Sequence, residues 1–161
     1  MVSRRKGPLT AFRIADKRHP LFDGTGAALL GARWNSPGIR VIYGACSYAG
    51  AMLEKLAQSG RLGEIPKTHQ SMRILIPESV EIEEISGEDV PGWNFPDLLK
   101  SRHYGDSWLQ EKRTAVLVVP AVIAVEEKNI LINPEHPDFP LITTSEPQDV
   151  IWDSRLFYPH N

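Results

Sequence analysis

The run from Ala115 to Val125, AVLVVPAVIAV, carries no charge and limits the fold more than any other stretch of the chain. It has to leave water, yet it is far shorter than the ~20 apolar residues of a membrane-spanning helix. Pro120 stands in its middle. A proline there removes a backbone donor and rules out one uninterrupted helix. The run is therefore expected to form two consecutive strands, or one strand with an edge break, near the centre of a sheet.

The rest of the chain is heavily punctuated, with 13 prolines and 12 glycines among 161 residues, so its elements should be short. Leu9–Ile14 reads as a first strand and Asp23–Gly38 as a glycine-rich loop. The β-branched and aromatic stretch Arg40–Ala45 reads as a strand. Ser47 is placed to cap a helix over Tyr48–Gln58, where Ala49, Met52, Leu53 and Leu56 recur at i, i+3, i+4 and i+7. That spacing marks one buried face, with Glu54 off the stripe. Gly60–Pro66 should break the helix. Further strands are expected at Ser71–Pro77, Val80–Ile85, Asn129–Asn133, Leu141–Thr144 and Val150–Phe157, with a turn around Trp93. Short helices are expected at Asp97–His103 and Ser107–Lys112, Ser107 capping the second. Strands outnumber helices without a clean βαβα alternation, which points to an α+β fold.

Length suits one domain over residues 1–161. A net charge of -2 argues against an electrostatically driven partner such as nucleic acid or an anionic membrane. The N-terminal MVSRRKGPLTAF has charges but no apolar run of signal-peptide length. Cys46 is the only cysteine, which excludes an intrachain disulfide and suits a reducing cytoplasm.

Standard motifs are absent. GTGAAL at Gly24–Leu29 lacks the third glycine of a dinucleotide fingerprint, and no GxxxxGK[ST], HExxH or paired CxxC occurs. His19, His69, His103, His136 and His160 lack zinc-site spacing, so no metal is expected. Cys46, at a strand end, reads as a small packed thiol, and Gly105-Asp106-Ser107 lacks the glycine that a nucleophile elbow needs after serine. What remains is Arg33, Trp34 and Asn35 in a glycine-flanked loop, Tyr43 in a strand and Glu54 on a helix. On the residues alone these read first as a surface ion pair, a half-packed tyrosine and a solvated glutamate.

The segment Gly31–Leu56, GARWNSPGIRVIYGACSYAGAMLEKL, resembles the core of the RES domain, with its Gly-x-Arg-Trp-Asn-x-x-Gly loop, Val-Val-Tyr strand and helix ending in Leu-Glu. Phe12-Arg13-Ile14, the stretch Phe22–Gly26, the segment Gly105–Leu109, the block Asn129–Phe139 and the stretch Asp153–Leu156 resemble further blocks in the same order. The resemblance implies an ADP-ribosyltransferase-like core of short, mainly antiparallel strands in a split sheet with flanking helices. It also implies a toxin that uses NAD+ as substrate and is neutralised by a cognate Xre-like antitoxin covering the active site. Oligomerisation stays open.

By the same resemblance the active-site arginine, tyrosine and glutamate fall on Arg33, Tyr43 and Glu54, and a second NAD+-contacting arginine on Arg13. Arg33, Trp34, Asn35 and Tyr43 are expected to contact the dinucleotide. A family serine in a Val-Pro-Ser-Ala stretch is replaced by Ala121 in Val119-Pro120-Ala121-Val122. Cleaving the nicotinamide–ribose bond develops oxocarbenium character that a carboxylate stabilises, arginines suit the pyrophosphate, and an aromatic face suits cationic nicotinamide. The acceptor of ADP-ribose is expected to be a bacterial protein. NAD+ glycohydrolysis or phosphorolysis, and a non-catalytic interaction module, are the alternatives.

Overall fold

A computed structural model describes residues 1–58 and 66–157. Its strands are β1 (Ser3–Lys6), β2 (Leu9–Asp16), β3 (Ile42–Ala45), β4 (His69–Ile76), β5 (Glu81–Glu84), β6 (Val116–Pro120), β7 (Lys128–Ile132), β8 (Thr143–Thr144) and β9 (Gln148–Asp149). Three α-helices, α1 (Thr25–Leu30), α2 (Tyr48–Gln58) and α3 (Leu99–Glu111), accompany them. The sheet runs β1-β5-β6-β7-β3-β2-β4-β8, with β9 also on β4. Among the described residues only the β5/β6 pair is parallel. The expected α+β class and mainly antiparallel sheet are present.

The sheet is split where it matters. β2 pairs with β4 along eight residues, and β3 with β7 along four. Between β2 and β3, by contrast, only Phe12 and Ala45 are in register. Two well-hydrogen-bonded halves thus diverge from one shared rung, leaving a wedge between the strands.

Burial explains the layering. Directly opposed residues of antiparallel strands share a face, so the pairs Tyr43/Leu131, Leu117/Leu131 and Ala45/Asn129 place these side chains on one side. That side holds Trp34, Trp108, Leu109, Leu117, Val119 and Leu131 under α3, and Ile14, Ala45 and Ala51 under α2. The other face carries Ile42, Ile74, Ile76, Val116, Val118, Ile130 and Ile132, against which Phe22 and Phe139 pack. Val116–Val119 are all buried, which makes β6 central, as its composition requires.

Several elements differ from expectation. The apolar run forms one strand, and after Pro120 the chain turns outward, leaving Val122, Ile123 and Val125 exposed. The two short helices are one helix, α3, with Ser107 inside it rather than capping it. Gly105 lies within the helix. It is there because a Cβ would lie 1.8 Å from the Trp34 carbonyl oxygen, not because the helix stops. The stretch Val150–Phe157 is no strand but contains a 3₁₀ turn, Ser154–Leu156, with Asp153 accepting from the Arg155 N–H. Strand structure between Leu141 and Thr144 is confined to Thr143–Thr144.

Thr25–Leu30 is helical within the stretch read as loop, consistent with the helix propensity of Ala and Leu. β1 was not expected, being wholly charged and polar. It holds its edge position by laying Arg4 and Arg5 against Glu83 and Glu84 of β5. The expected helix break lies outside the described residues except at Pro66. Among the described residues, no helix is long and apolar enough to cross a membrane.

Candidate functional site

The wedge between β2 and β3, roofed by α2, is an open cleft lined by Phe12, Arg13, Ile14, Tyr43, Gly44, Ala45, Ala51, Glu54, Lys55, Gln58 and Asn129. Three residues singled out in the sequence, Arg13, Tyr43 and Glu54, meet here.

α2 delivers Glu54 through a face the hydrophobic pattern did not reveal. Ser47 caps the helix as expected, its Oγ accepting from the Gly50 N–H at 2.9 Å. The buried face, however, is Gly50 and Ala51, while Ala49 and Leu53 are exposed. Positions 50, 51, 54, 55 and 58 lie at helical spacing on one side, so Glu54 is turned into the cleft. It does not stand on a solvated surface. Its Oε1 accepts a hydrogen bond from Asn129 Nδ2 at 3.0 Å. Asn129, on β7 opposite Ala45, fixes the carboxylate and was missed in the sequence, where it reads as one polar residue in an apolar strand.

Arg13 bridges the split. Its Nε donates to the Leu21 carbonyl at 2.7 Å and its Nη1 to the Tyr43 carbonyl at 2.8 Å. Burial lowers its pKa from the ordinary value, partly offset by the charge of Asp23. The guanidinium thus ties the chain beyond β2 to β3 through two carbonyls.

Tyr43 lines the cleft with its hydroxyl engaged elsewhere. The hydroxyl donates to Asn35 Oδ1 at 2.7 Å and accepts from the Trp34 N–H at 3.0 Å. Burial pushes its pKa well above the ordinary tyrosine value, so it stays protonated and is not a general base.

Arg33, Trp34 and Asn35 are not brought into the cleft. Trp34 is buried, stacked on Trp93 at 6.1 Å between ring centroids and edge-on to Tyr104. Asn35 is fully buried, its Nδ2 donating to the carbonyls of Ala27 and Ile39 at 3.0 and 2.9 Å. Both act on the site by holding Tyr43. Arg33 Nη1 donates to the carbonyls of Trp93 and Phe95 at 3.0 and 3.2 Å, pinning that turn. Its Nε and Nη2 have no hydrogen bond among the described residues.

Ala121 is buried just beyond β6, its N–H donating to the Glu127 carbonyl at 3.2 Å, and does not line the cleft. Burial and the nearby Glu84 push the Cys46 thiol up to about 11, which keeps it protonated at neutral pH, as its reading as a packed thiol implies. Among the described residues no cluster of His, Cys, Asp and Glu is arranged to hold a metal ion.

The RES domain matches residues 10–153. The chain is 36% identical over 137 residues to the Prs ADP-ribosylating toxin of Sphingobium sp. (strain YBL2), covering 83% of this chain and 84% of that protein. It is 32% identical over 153 residues to Toxin Res of Yersinia enterocolitica, covering 90% and 97% respectively. Its fold is similar to a chain of the solved M. tuberculosis MbcT-MbcA toxin-antitoxin complex, with a TM-score of 0.73 over 91% of this chain and 86% of that one at 16% identity. On the extent of these matches, the chain belongs to the RES domain family.

Proposed function

We propose that the chain is the toxin of a toxin–antitoxin pair, formed as one RES domain, which cleaves the nicotinamide–ribose bond of NAD+ and transfers ADP-ribose to a bacterial protein. The observation that carries this reading is the convergence of Glu54, Tyr43 and Arg13 on one cleft at the split of the sheet. The similarity to a protein named as an ADP-ribosylating toxin supports it.

In this reading the cationic nicotinamide lies against the Tyr43 ring, an attraction of ~0.5–2 kcal/mol that disappears when neutral nicotinamide leaves. As the glycosidic C–N bond breaks, both bonding electrons go to nicotinamide and positive charge develops on the ribose. The Glu54 carboxylate, held by Asn129, meets that charge without having to reorganise. The acceptor's lone pair then forms the new bond to the ribose carbon and its proton is lost. Arg13 takes the pyrophosphate, and the free nitrogens of Arg33 reach the part of the dinucleotide outside the cleft. The similarity to a protein named as an ADP-ribosylating toxin favours a protein acceptor over water or phosphate. The structural neighbour comes from a toxin–antitoxin complex, and an antitoxin seated over this cleft would exclude NAD+.

The test is expression of wild type and Glu54→Ala in bacteria, with growth, NAD+ and ADP-ribosylated protein followed in the same cultures. Wild type is expected to arrest growth with discrete labelled bands, and Glu54→Ala to do neither. Growth arrest that survives Glu54→Ala would favour a non-catalytic interaction module instead.

A further inference from the structure

Lys55 is the charged residue of the cleft that the reaction described above leaves without a role. It follows Glu54 on α2, lines the same cleft as Arg13, and is half-buried. The carboxylates around it are engaged elsewhere. Asp16 holds Arg18 at 2.5 Å, and Glu54 accepts from Asn129. Lys55 itself has no ion pair or hydrogen bond among the described residues. Burial, and after it the charge of Arg13, lower its pKa from the ordinary lysine value. Asp16 and Glu54 offset this only in part, and a half-buried cation beside a second cation, without an ion pair of its own, works against folding. An anion bound between them would relieve both.

The geometry of Arg13 shows why a second donor is needed. Its Nε and one N–H of Nη1 are committed to the Leu21 and Tyr43 carbonyls, leaving Nη2 and the second Nη1 N–H for a ligand. The side-on, two-pronged grip through Nε and Nη2 is therefore not available from Arg13. An ammonium on a flexible four-carbon stem, with three donors, supplies what is missing.

We propose that Lys55 is the second cationic contact to the pyrophosphate of the substrate, closing with Arg13 on its two phosphates and selecting a phosphate-bearing nucleotide. This rests on the reading of the cleft as an NAD+ site. Lys55 acts in binding and not in bond cleavage, so its removal is expected to raise KM and leave kcat nearly unchanged.

The experiment is calorimetric titration of wild type, Lys55→Met and Lys55→Arg with ADP-ribose, with adenosine and with inorganic phosphate, alongside NAD+ consumption. Lys55→Met is expected to bind ADP-ribose about tenfold more weakly or worse, to bind adenosine as wild type does, and to show a shallower dependence on salt. Lys55→Arg is expected to recover most of the affinity. Because the substitution removes an unpaired half-buried charge, Lys55→Met should melt no lower than wild type, which separates a binding role from a structural one. Equal ADP-ribose affinity in wild type and Lys55→Met, or a loss confined to inorganic phosphate, overturns the proposal while NAD+ consumption by wild type leaves the cleft's assignment standing. Wild type that neither binds ADP-ribose nor consumes NAD+ overturns both.

Discussion

Glu54 and Tyr43 differ in how far the sequence alone could place them. A glutamate on a helix whose apolar stripe runs elsewhere looks solvated, and only the small residues Gly50 and Ala51 beneath it reveal the buried side. Replacing Glu54 with Gln keeps an acceptor for Asn129 but removes the negative charge. Nicotinamide release is expected to fall ~10²–10³-fold with an unchanged melting temperature, read by product assay and thermal melt together.

Trp34 and Asn35 were legible as a motif but not in their placement, because a loop sequence does not say which of its polar groups turn inward. Asn35 satisfies two carbonyls and the Tyr43 hydroxyl. Asn35→Ala removes the donor to the Ile39 carbonyl and the acceptor of the Tyr43 O–H, at ~1–3 kcal/mol for each group left unsatisfied, while the Ala27 carbonyl keeps the Gly31 N–H. A lowered urea midpoint and weaker nicotinamide binding are expected.

At the scale of elements, α3 turns on a single missing side chain. Alanine is the better helix former by ~1 kcal/mol, so Gly105→Ala would stabilise an isolated helix. Here the new Cβ would lie 1.8 Å from the Trp34 carbonyl oxygen. Forced displacement of packed backbone typically costs ~1–3 kcal/mol, which outweighs the gain. Chemical denaturation is expected to show net destabilisation, with the Trp34 and Tyr43 loop loosened. The same residue explains why the helix was read as two, since a glycine inside a helical pattern looks like a break until its neighbour is known. The split between β2 and β3 was implied by family resemblance and not by hydrophobic pattern, because strand pairing over one residue or eight leaves no mark on either strand's composition.

Across the whole molecule, the alternating and continuous apolar runs made most strands legible, while the charged β1 escaped because its stability comes from paired arginines and glutamates on another strand. Tyr43 and Tyr104 carry a pH signature of the folded state. Burial raises both pKa values, and Tyr104 also donates to Glu83 at 2.6 Å. Unfolded tyrosines lose their protons near pH ~10, and above that pH the folded state binds more protons than the unfolded one. Stability is therefore expected to be unaffected by these groups below pH ~10 and to fall as pH rises beyond it, which urea midpoints between neutral and strongly alkaline pH will show.

The most direct test of the whole account is incubation of the purified protein with labelled NAD+ and a bacterial lysate, reading nicotinamide release and protein-bound label together. The account predicts stoichiometric release and a discrete labelled protein with wild type, and neither with Glu54→Ala. NAD+ left intact by wild type, or equal turnover by Glu54→Ala, would contradict it.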